Sequence, residues 1–394
     1  MTLHMPSATH LASDPRLQQI ALARQAVLQD GISNPRAGMQ AWIERSWQRC
    51  LASGKRPEQK VTFDMVLPAT IKRLLEANRA FVQTARPVLQ SLSRAIATTR
   101  YFAVLTDAHG VVIDAHGAID RRDPRADLIT RIGTDLSERK LATTAISAAL
   151  TELQPVWLHR GEHFFDANSV YSCAGAPLFG PDGACIGMLD VTGVETFERP
   201  ELQHLVAQSA RSIENALTIG QLKGQHDLLV RLNWPGRTLG DETDGLVCLN
   251  ADGYITAANQ MARLMMPQLV PRLLPQLLPH PLQRSMTHAS DLFAMPLDML
   301  FDAARKQASN AALEVPLWTG LRLHALPVMG HQANRSDCEP VSAPATSQAT
   351  LKDIEAALIR KAVDDARGNV QKAARTLGIS RATIYRRLGT TLKH

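Results

Sequence analysis

His159-Arg-Gly-Glu-His163 sets two imidazoles four residues apart with a carboxylate between them. One class of metalloprotease presents its zinc and general base with this spacing. That chemistry requires both histidines on one helical face and a third ligand. Here Gly161 interrupts, the run Pro155–Leu158 ahead of it reads as a strand, and no distant ligand is apparent. The sequence therefore predicts no metal centre and no cofactor. Trp157, His163, Phe164, Tyr171 and Cys173 combine aromatic surface with polar groups, and they are candidates to line a small-molecule pocket. Core packing around a sheet is the alternative for the same five. Cys173 reads as a buried, inert thiol rather than a redox centre. No Ser/His/Asp set or carboxylate pair stands out, and Gly54-Lys55 lacks the leading glycine and trailing hydroxyl of a phosphate loop. The expectation is a protein that is not an enzyme.

The second concentration of chemistry is basic. Residues 351–394 carry ten Lys/Arg against four Asp/Glu, a net of +6 that equals the formal charge of the whole chain. Charge segregated in this way implies a module facing a polyanion. Leu351, Ile354, Leu358 and Ala362 recur at helical spacing, Gly368 is placed to end that helix, and Asn369 can cap the next. Ala373 and Ala374 allow close helix–helix approach, Gly378 suits a sharp turn, and Ser380 can cap a third helix. Ile384 and Leu388 face inward, leaving Arg381, Thr383, Tyr385 and Arg386 outward or flanking. That is a helix-turn-helix with its second helix ready for a major groove.

Three hairpin signatures organise the middle of the chain. Thr106–Gly110, Phe179–Gly183 and Leu249–Gly253 each end in glycine between two apolar or β-branched runs. With flanking helices they predict α+β domains built on antiparallel sheets. Five scattered cysteines (Cys50, Cys173, Cys185, Cys248, Cys338) form neither a disulfide framework nor a zinc site, and a reducing compartment fits. No apolar leader is visible, and Met261–Leu282, the most apolar stretch, holds two arginines and five prolines, which excludes a membrane helix. The expectation is a cytoplasmic protein without a membrane partner. Residues 330–350 read as a flexible linker, and Asn233-Trp-Pro-Gly marks a second break. The methionines 261, 265, 266, 295 and 299 read as core filling, with an adaptable partner surface as the alternative. Val206, Ala210, Ile213 and Leu217 are read as a short dimerisation seam, packing on the preceding sheet being the other reading. A homodimer is expected because a single helix-turn-helix covers too little DNA for high specificity.

Several of these runs carry a family resemblance. Asn369-Val370, Ala373-Ala374, Leu377-Gly378-Ile379-Ser380, Thr383 and Tyr385-Arg386 match the Fis family of helix-turn-helix domains. The resemblance implies that Ser380, Arg381, Thr383, Tyr385 and Arg386 contact double-stranded DNA. Residues 91–220 resemble a GAF domain of the kind found in activators of acetoin and glycerol (dihydroxyacetone) metabolism. Its carriers are Pro155-Val156, Glu162-His163-Phe164, Cys173–Pro177 and Gly187–Gly193, and Ser46-Trp47-Gln-Arg49-Cys50 is similar to the helical lead-in of the same regulators (1–90). Residues 238–328 look like a PAS domain through Asp244-Gly245, Asp252-Gly253 and Ala258-Asn259-Gln260. The implied fold is multidomain α+β: GAF-like and PAS-like antiparallel-sheet sensor domains followed by an all-α Fis-type helix-turn-helix. The implied function is a sequence-specific regulator controlled by a small-molecule effector, an alcohol, diol or ketone, with a protein-interaction adaptor as the alternative. Two departures matter. Where the family reads Gly-Thr-Asn-Ala-Ile-Gly, the equivalent here reads Leu141-Ala-Thr-Thr-Ala-Ile-Ser147. It also lacks the phosphate loop and the sigma-factor-engaging loop of the central ATPase, so regulation is expected through DNA occupancy or contact with RNA polymerase.

Overall fold

The computed structural model describes residues 14–31, 39–63, 66–222, 227–269, 287–306 and 312–330, with Val370 and Ala374. Most of the expected linker, nearly all of the helix-turn-helix and its five DNA-contact candidates lie outside the described residues. Val370 and Ala374 are both helical.

Among the described residues, four helices lead in. Helix α1 (Pro15–Arg24) starts where Asp14 accepts from the Arg16 amide ahead of a proline at the first turn, and it runs into a π-helical turn, Gln25–Gln29. Then come α2 (Ala41–Ala52), α3 (Pro68–Ala77) and α4 (Arg79–Ala95). The first sheet comes next, with β1 (Tyr101–Asp107), β2 (Val112–Gly117), β3 (Val156–His159), β4 (Tyr171–Phe179) and β5 (Cys185–Val194) in the antiparallel order β2-β1-β5-β4-β3. Between β2 and β3 the chain forms α5 (Pro124–Ile129), α6 (Glu138–Leu141) and α7 (Ala145–Glu152). Strand alternation divides the core in two. Tyr101, Ala103 and Leu105 with Leu189 and Val191 face α4 and the long helix α8 (Leu202–Ile219). Phe102 and Val104 with Met188 and Val194 face α2, α5 and α7.

The second sheet comprises β6 (Leu228–Asn233), β7 (Gly245–Leu249), β8 (Ile255–Ala258), β9 (Leu313–Pro316) and β10 (Arg322–Met329), in the order β8-β7-β6-β10-β9. Leu228, Val230, Val247 and Leu323 face α9 (Gln260–Met265) and α10 (Asp298–Arg305). Leu229, Leu246 and Cys248 on the other face meet Ile219 and Leu222. All three predicted hairpins are present, as β1–β2, β4–β5 and β7–β8. The second sheet begins ten residues ahead of the expected boundary at 238, because Asn233-Trp-Pro-Gly is a turn joining β6 to the loop before β7 rather than a break between domains. Of the five methionines, Met265 and Met266 are buried in this core, Met261 and Met295 pack against it, and Met299 is exposed.

The stripe Val206, Ala210, Ile213 is consumed by the first sheet, where all three side chains are buried among α4 and the strands, with Leu217 half-buried beside them. A helix stripe has the same period whether it meets a partner helix or a sheet. These residues therefore offer no free seam, and the expectation of dimerisation through them is corrected. Helix α8 also binds the second sheet: Asn259 donates to Asn215 Oδ1 at 2.7 Å, and Asn215 and Gln208 both reach Glu242. The β4–β5 turn is held from the same side, since Arg263 Nη2 and the Ala258 amide both donate to Pro181 O, at 2.7 and 3.0 Å.

Candidate functional site

A cavity of about 40 Å³ lies between the first sheet and α7. One water needs about 10–15 Å³ of such space, so the cavity suits a molecule of a few heavy atoms. Val104, Cys173, Asp190 and Thr192 form its floor from three neighbouring strands, all on the same side of the pleat. Thr144, Ala145 and Ile146 form a wall at the start of α7. Thr144 and Ser147 make a reciprocal cap there, each accepting from the other's backbone amide. This is the segment in which the sequence departs from its family pattern. Ala142, within that segment, adopts φ +55°, a conformation that costs a side-chain-bearing residue and suits glycine. The third wall is the loop 160–168, which contributes His163 and Asn168, with Tyr171 at its foot.

Three lining residues carry buried polar atoms with no hydrogen-bond partner among the described residues: His163 Nε2, Asn168 Nδ2 and Asp190 Oδ1. His163 is fully buried, and burial lowers its pKa to about 4, so the ring is neutral. Its Nδ1 lies 2.9 Å from Arg160 O and must donate to that carbonyl, which leaves Nε2 as an acceptor. Asn168 Nδ2 is a donor. Asp190 Oδ2 accepts from Thr192 Oγ1, and burial pushes the carboxyl up to about 7. Buried groups left without partners are costly, and a cavity that collects three of them is suited to a guest that pairs with them. Around these points the lining is apolar, with Ile129, Leu136 and Leu141 closing it.

Of the five sequence candidates, His163, Tyr171 and Cys173 line the cavity. Trp157 points to the opposite face of β3, into the core under α8, where its indole donates to Glu198 at 3.2 Å. Phe164 packs edge-to-face on Phe165 in the core, away from the lining. Alternation along β3 separates Trp157 from the cavity, and Phe164 is instead fully buried in the core beside Phe165. Asp190, Thr192 and Asn168 escaped the sequence reading. Asp190 and Thr192 had a usable signal, two polar residues at period two inside an apolar strand. Burial also raises the Cys173 thiol well above its ordinary range, so it stays protonated and poorly nucleophilic. In the metal-like string the side chains serve separate partners. His159 bonds Ser172 Oγ at 2.8 Å, while Glu162 pairs with Arg16 and accepts from the His159 amide at 2.7 Å.

The raised Asp190 carboxyl has a pH signature. A carboxyl that binds its proton more tightly when folded contributes stability below its unfolded pKa of about 3.9, and that contribution is lost as pH rises through about 7. Asp190→Asn removes the titration. Relative to the parent, the variant should gain stability between about pH 4 and pH 7, by at most about 1.4 kcal/mol per unit, and no further above that. Urea unfolding at three pH values reads this; a constant difference would mean that Asp190 titrates as an ordinary carboxylate.

Residues 17–215, just over half of the chain, match the family model described as MimR, N-terminal domain, and residues 350–389 match that of the bacterial regulatory proteins of the Fis family. The chain belongs to the family defined by the MimR N-terminal domain. Among curated relatives, the acetoin catabolism regulatory protein of Cupriavidus necator is 29% identical over 255 residues, 62% of this chain and 36% of that protein. The propane 2-monooxygenase operon transcriptional activator MimR of Mycolicibacterium smegmatis is 26% identical over 198 residues, 50% of this chain and 32% of the relative. The alignments thus span about a third of the length of these relatives. Among solved structures, the E. coli DhaR(N)–DhaL complex is similar over 73% of this chain and 99% of the matched chain, at 16% identity and a TM-score of 0.43. No described helix is long and apolar enough to cross a membrane.

Proposed function

We propose that the chain is a DNA-binding transcriptional regulator that responds to a small, uncharged, hydrogen-bonding metabolite. In this reading the first sheet is a GAF-like sensor, the second sheet is PAS-like, and residues 351–394 form the Fis-type DNA-reading unit. The observation that carries it is the cavity, apolar over most of its wall and provided with an unpartnered acceptor, an unpartnered donor and a buried carboxyl. A short alcohol, diol or ketone fits that chemistry. Its hydroxyl would donate to His163 Nε2, and its oxygen would accept from Asn168 Nδ2. The Fis-family match at 350–389 and the transcription regulators among the relatives support the DNA-binding half. With no phosphate-loop motif in the 394 residues, the reading includes no ATP-driven step. Control then runs through DNA occupancy or contact with RNA polymerase.

The test is selection of genomic DNA fragments by the full chain and by a chain ended at Gln348. Discrete inverted-repeat sites that vanish on truncation are expected, and they would also establish paired DNA-binding units. Salt-sensitive capture without sequence preference would overturn the reading and favour an adaptor acting through a partner regulator.

A further inference from the structure

The third wall of the cavity differs from the other two in what holds it. The floor is fixed by strand ladders and the α7 wall by a capped helix, but the loop 160–168 has no ladder behind its outward-facing carbonyls. Three of them, on Gly161, His163 and Phe164, are satisfied by a helix more than 130 residues earlier in the chain. Arg24 of α1 donates from Nη1 to Gly161 O at 2.8 Å and to His163 O at 2.5 Å, and from Nη2 to Phe164 O at 3.1 Å and to the Asp166 carboxylate. Eight residues earlier on the same helix, Arg16 pairs with the buried Glu162. Beneath the loop, the Trp47 indole donates to Glu162 O at 3.0 Å, and Arg24 sits over its ring. The Phe164 and Asp166 amides reach Thr143 O and Pro57 O.

We propose that α1 is a latch on the cavity: its release from the loop 160–168 opens the wall that bears His163 and Asn168, and Arg24 is the positioning residue that sets those two groups when the latch is closed. The helix is suited to detach. Between Pro15 and Arg24 it buries only Ile20 and Ala23, and its apolar anchor, Val27, lies in the π-helical turn that follows, so Pro15–Arg24 can lift about that anchor once the two arginine contacts break. Segments with few buried apolar contacts open at free energies well below that of global unfolding. Arg24 alone satisfies three backbone carbonyls, so the closed state loses those pairings together when the helix leaves. The inference rests on reading the cavity as the ligand site, but access to it can be measured without a ligand.

Cys173 lines the cavity and is buried, and Cys248 is buried in the second sheet, away from the latch. The rate at which iodoacetamide alkylates each, read by peptide mass spectrometry on the full chain, reports opening at each place. Arg16→Ala with Arg24→Ala should speed alkylation of Cys173 by about ten-fold or more while leaving Cys248 unchanged. An unchanged Cys173 rate would overturn the proposal. Equal acceleration at both cysteines would signal general destabilisation, and a lock then decides. A Cβ on Gly161 would meet Ile20 Cγ2 and Arg24 Cδ, each at 3.0 Å, so the loop backbone touches α1 here, and Ile20→Cys with Gly161→Cys is the pair to oxidise as a lock. Oxidising that pair should slow Cys173 alkylation below the parent rate, and reducing it should restore the rate. A locked form that reacts as fast as the reduced one would refute the latch. Because the probe reports access and not binding, a chain that opens as described yet binds no metabolite would sink the sensor reading alone.

Discussion

Arg381→Ala combined with Arg386→Ala is expected to cost the protein its operator. A side-chain contact to a base edge is worth about 1–3 kcal/mol, and every 1.4 kcal/mol is about ten-fold in affinity. Two such contacts together predict a loss between about thirty-fold and about 10⁴-fold. The expectation comes from the sequence of the basic segment, where no acidic residue is found after Asp365 and both arginines flank Tyr385 in the run that resembles the Fis family. Binding measured on a selected operator and on an unrelated duplex, at several salt concentrations, separates the possible roles. Loss on the operator alone marks base reading, whereas equal loss on both with a shallower salt slope marks phosphate contacts. Unchanged operator affinity would remove these residues from the interface. The circular dichroism spectrum should match the parent's, because the effect sought lies in recognition and not in folding.

Trp47→Ala should be among the most damaging single substitutions in the first half of the chain. Its side chain is fully buried, packs in the core shared by α2, α7 and the first sheet, and donates to the backbone of the loop 160–168. Truncating a buried tryptophan costs about 3–5 kcal/mol through lost transfer energy and the cavity left behind. Here it also strands the Glu162 carbonyl and removes the surface on which Arg24 rests. Against a total stability of about 5–15 kcal/mol, that is a large fraction. The urea midpoint should fall steeply with an unchanged slope. Trp318→Ala, at a side chain 68% exposed, serves as the contrast and should cost about 1 kcal/mol or less. Equal effects at the two tryptophans would mean that the lead-in helices do not share the core of the first sheet.

The parts legible in the sequence were those written in short-range pattern. The three hairpins were visible because a tight turn demands glycine, and Gly110, Gly183 and Gly253 all adopt positive φ at the places expected. His163, Tyr171 and Cys173 could be grouped because they sit on neighbouring runs of one meander. The hidden parts depend on pairing across distance. The join of β1 to β5 sets Val104 against Asp190, and no local feature announces it. Trp157 was misplaced although period-two alternation alone assigns it to the face opposite Val156 and Leu158. The contacts of Arg16 and Arg24 span well over a hundred residues, and an arginine on a solvent-facing helix gives no sign of such a target.

Helix α8 has a consequence for how such a protein can be reassembled over evolution. Modules change neighbours readily at joints that few side chains cross. This joint is not one. The family-wide match stops at residue 215, yet the helix continues to Ile219, and its last turns, with Leu222, cover the outer face of the second sheet. A crossover placed between the two sheets would strip apolar cover from one and leave the other with an unmatched stripe. Lineages that exchange the modules downstream of the sensor would therefore be expected to inherit both sheets as one block, with their recombination points falling beyond residue 330.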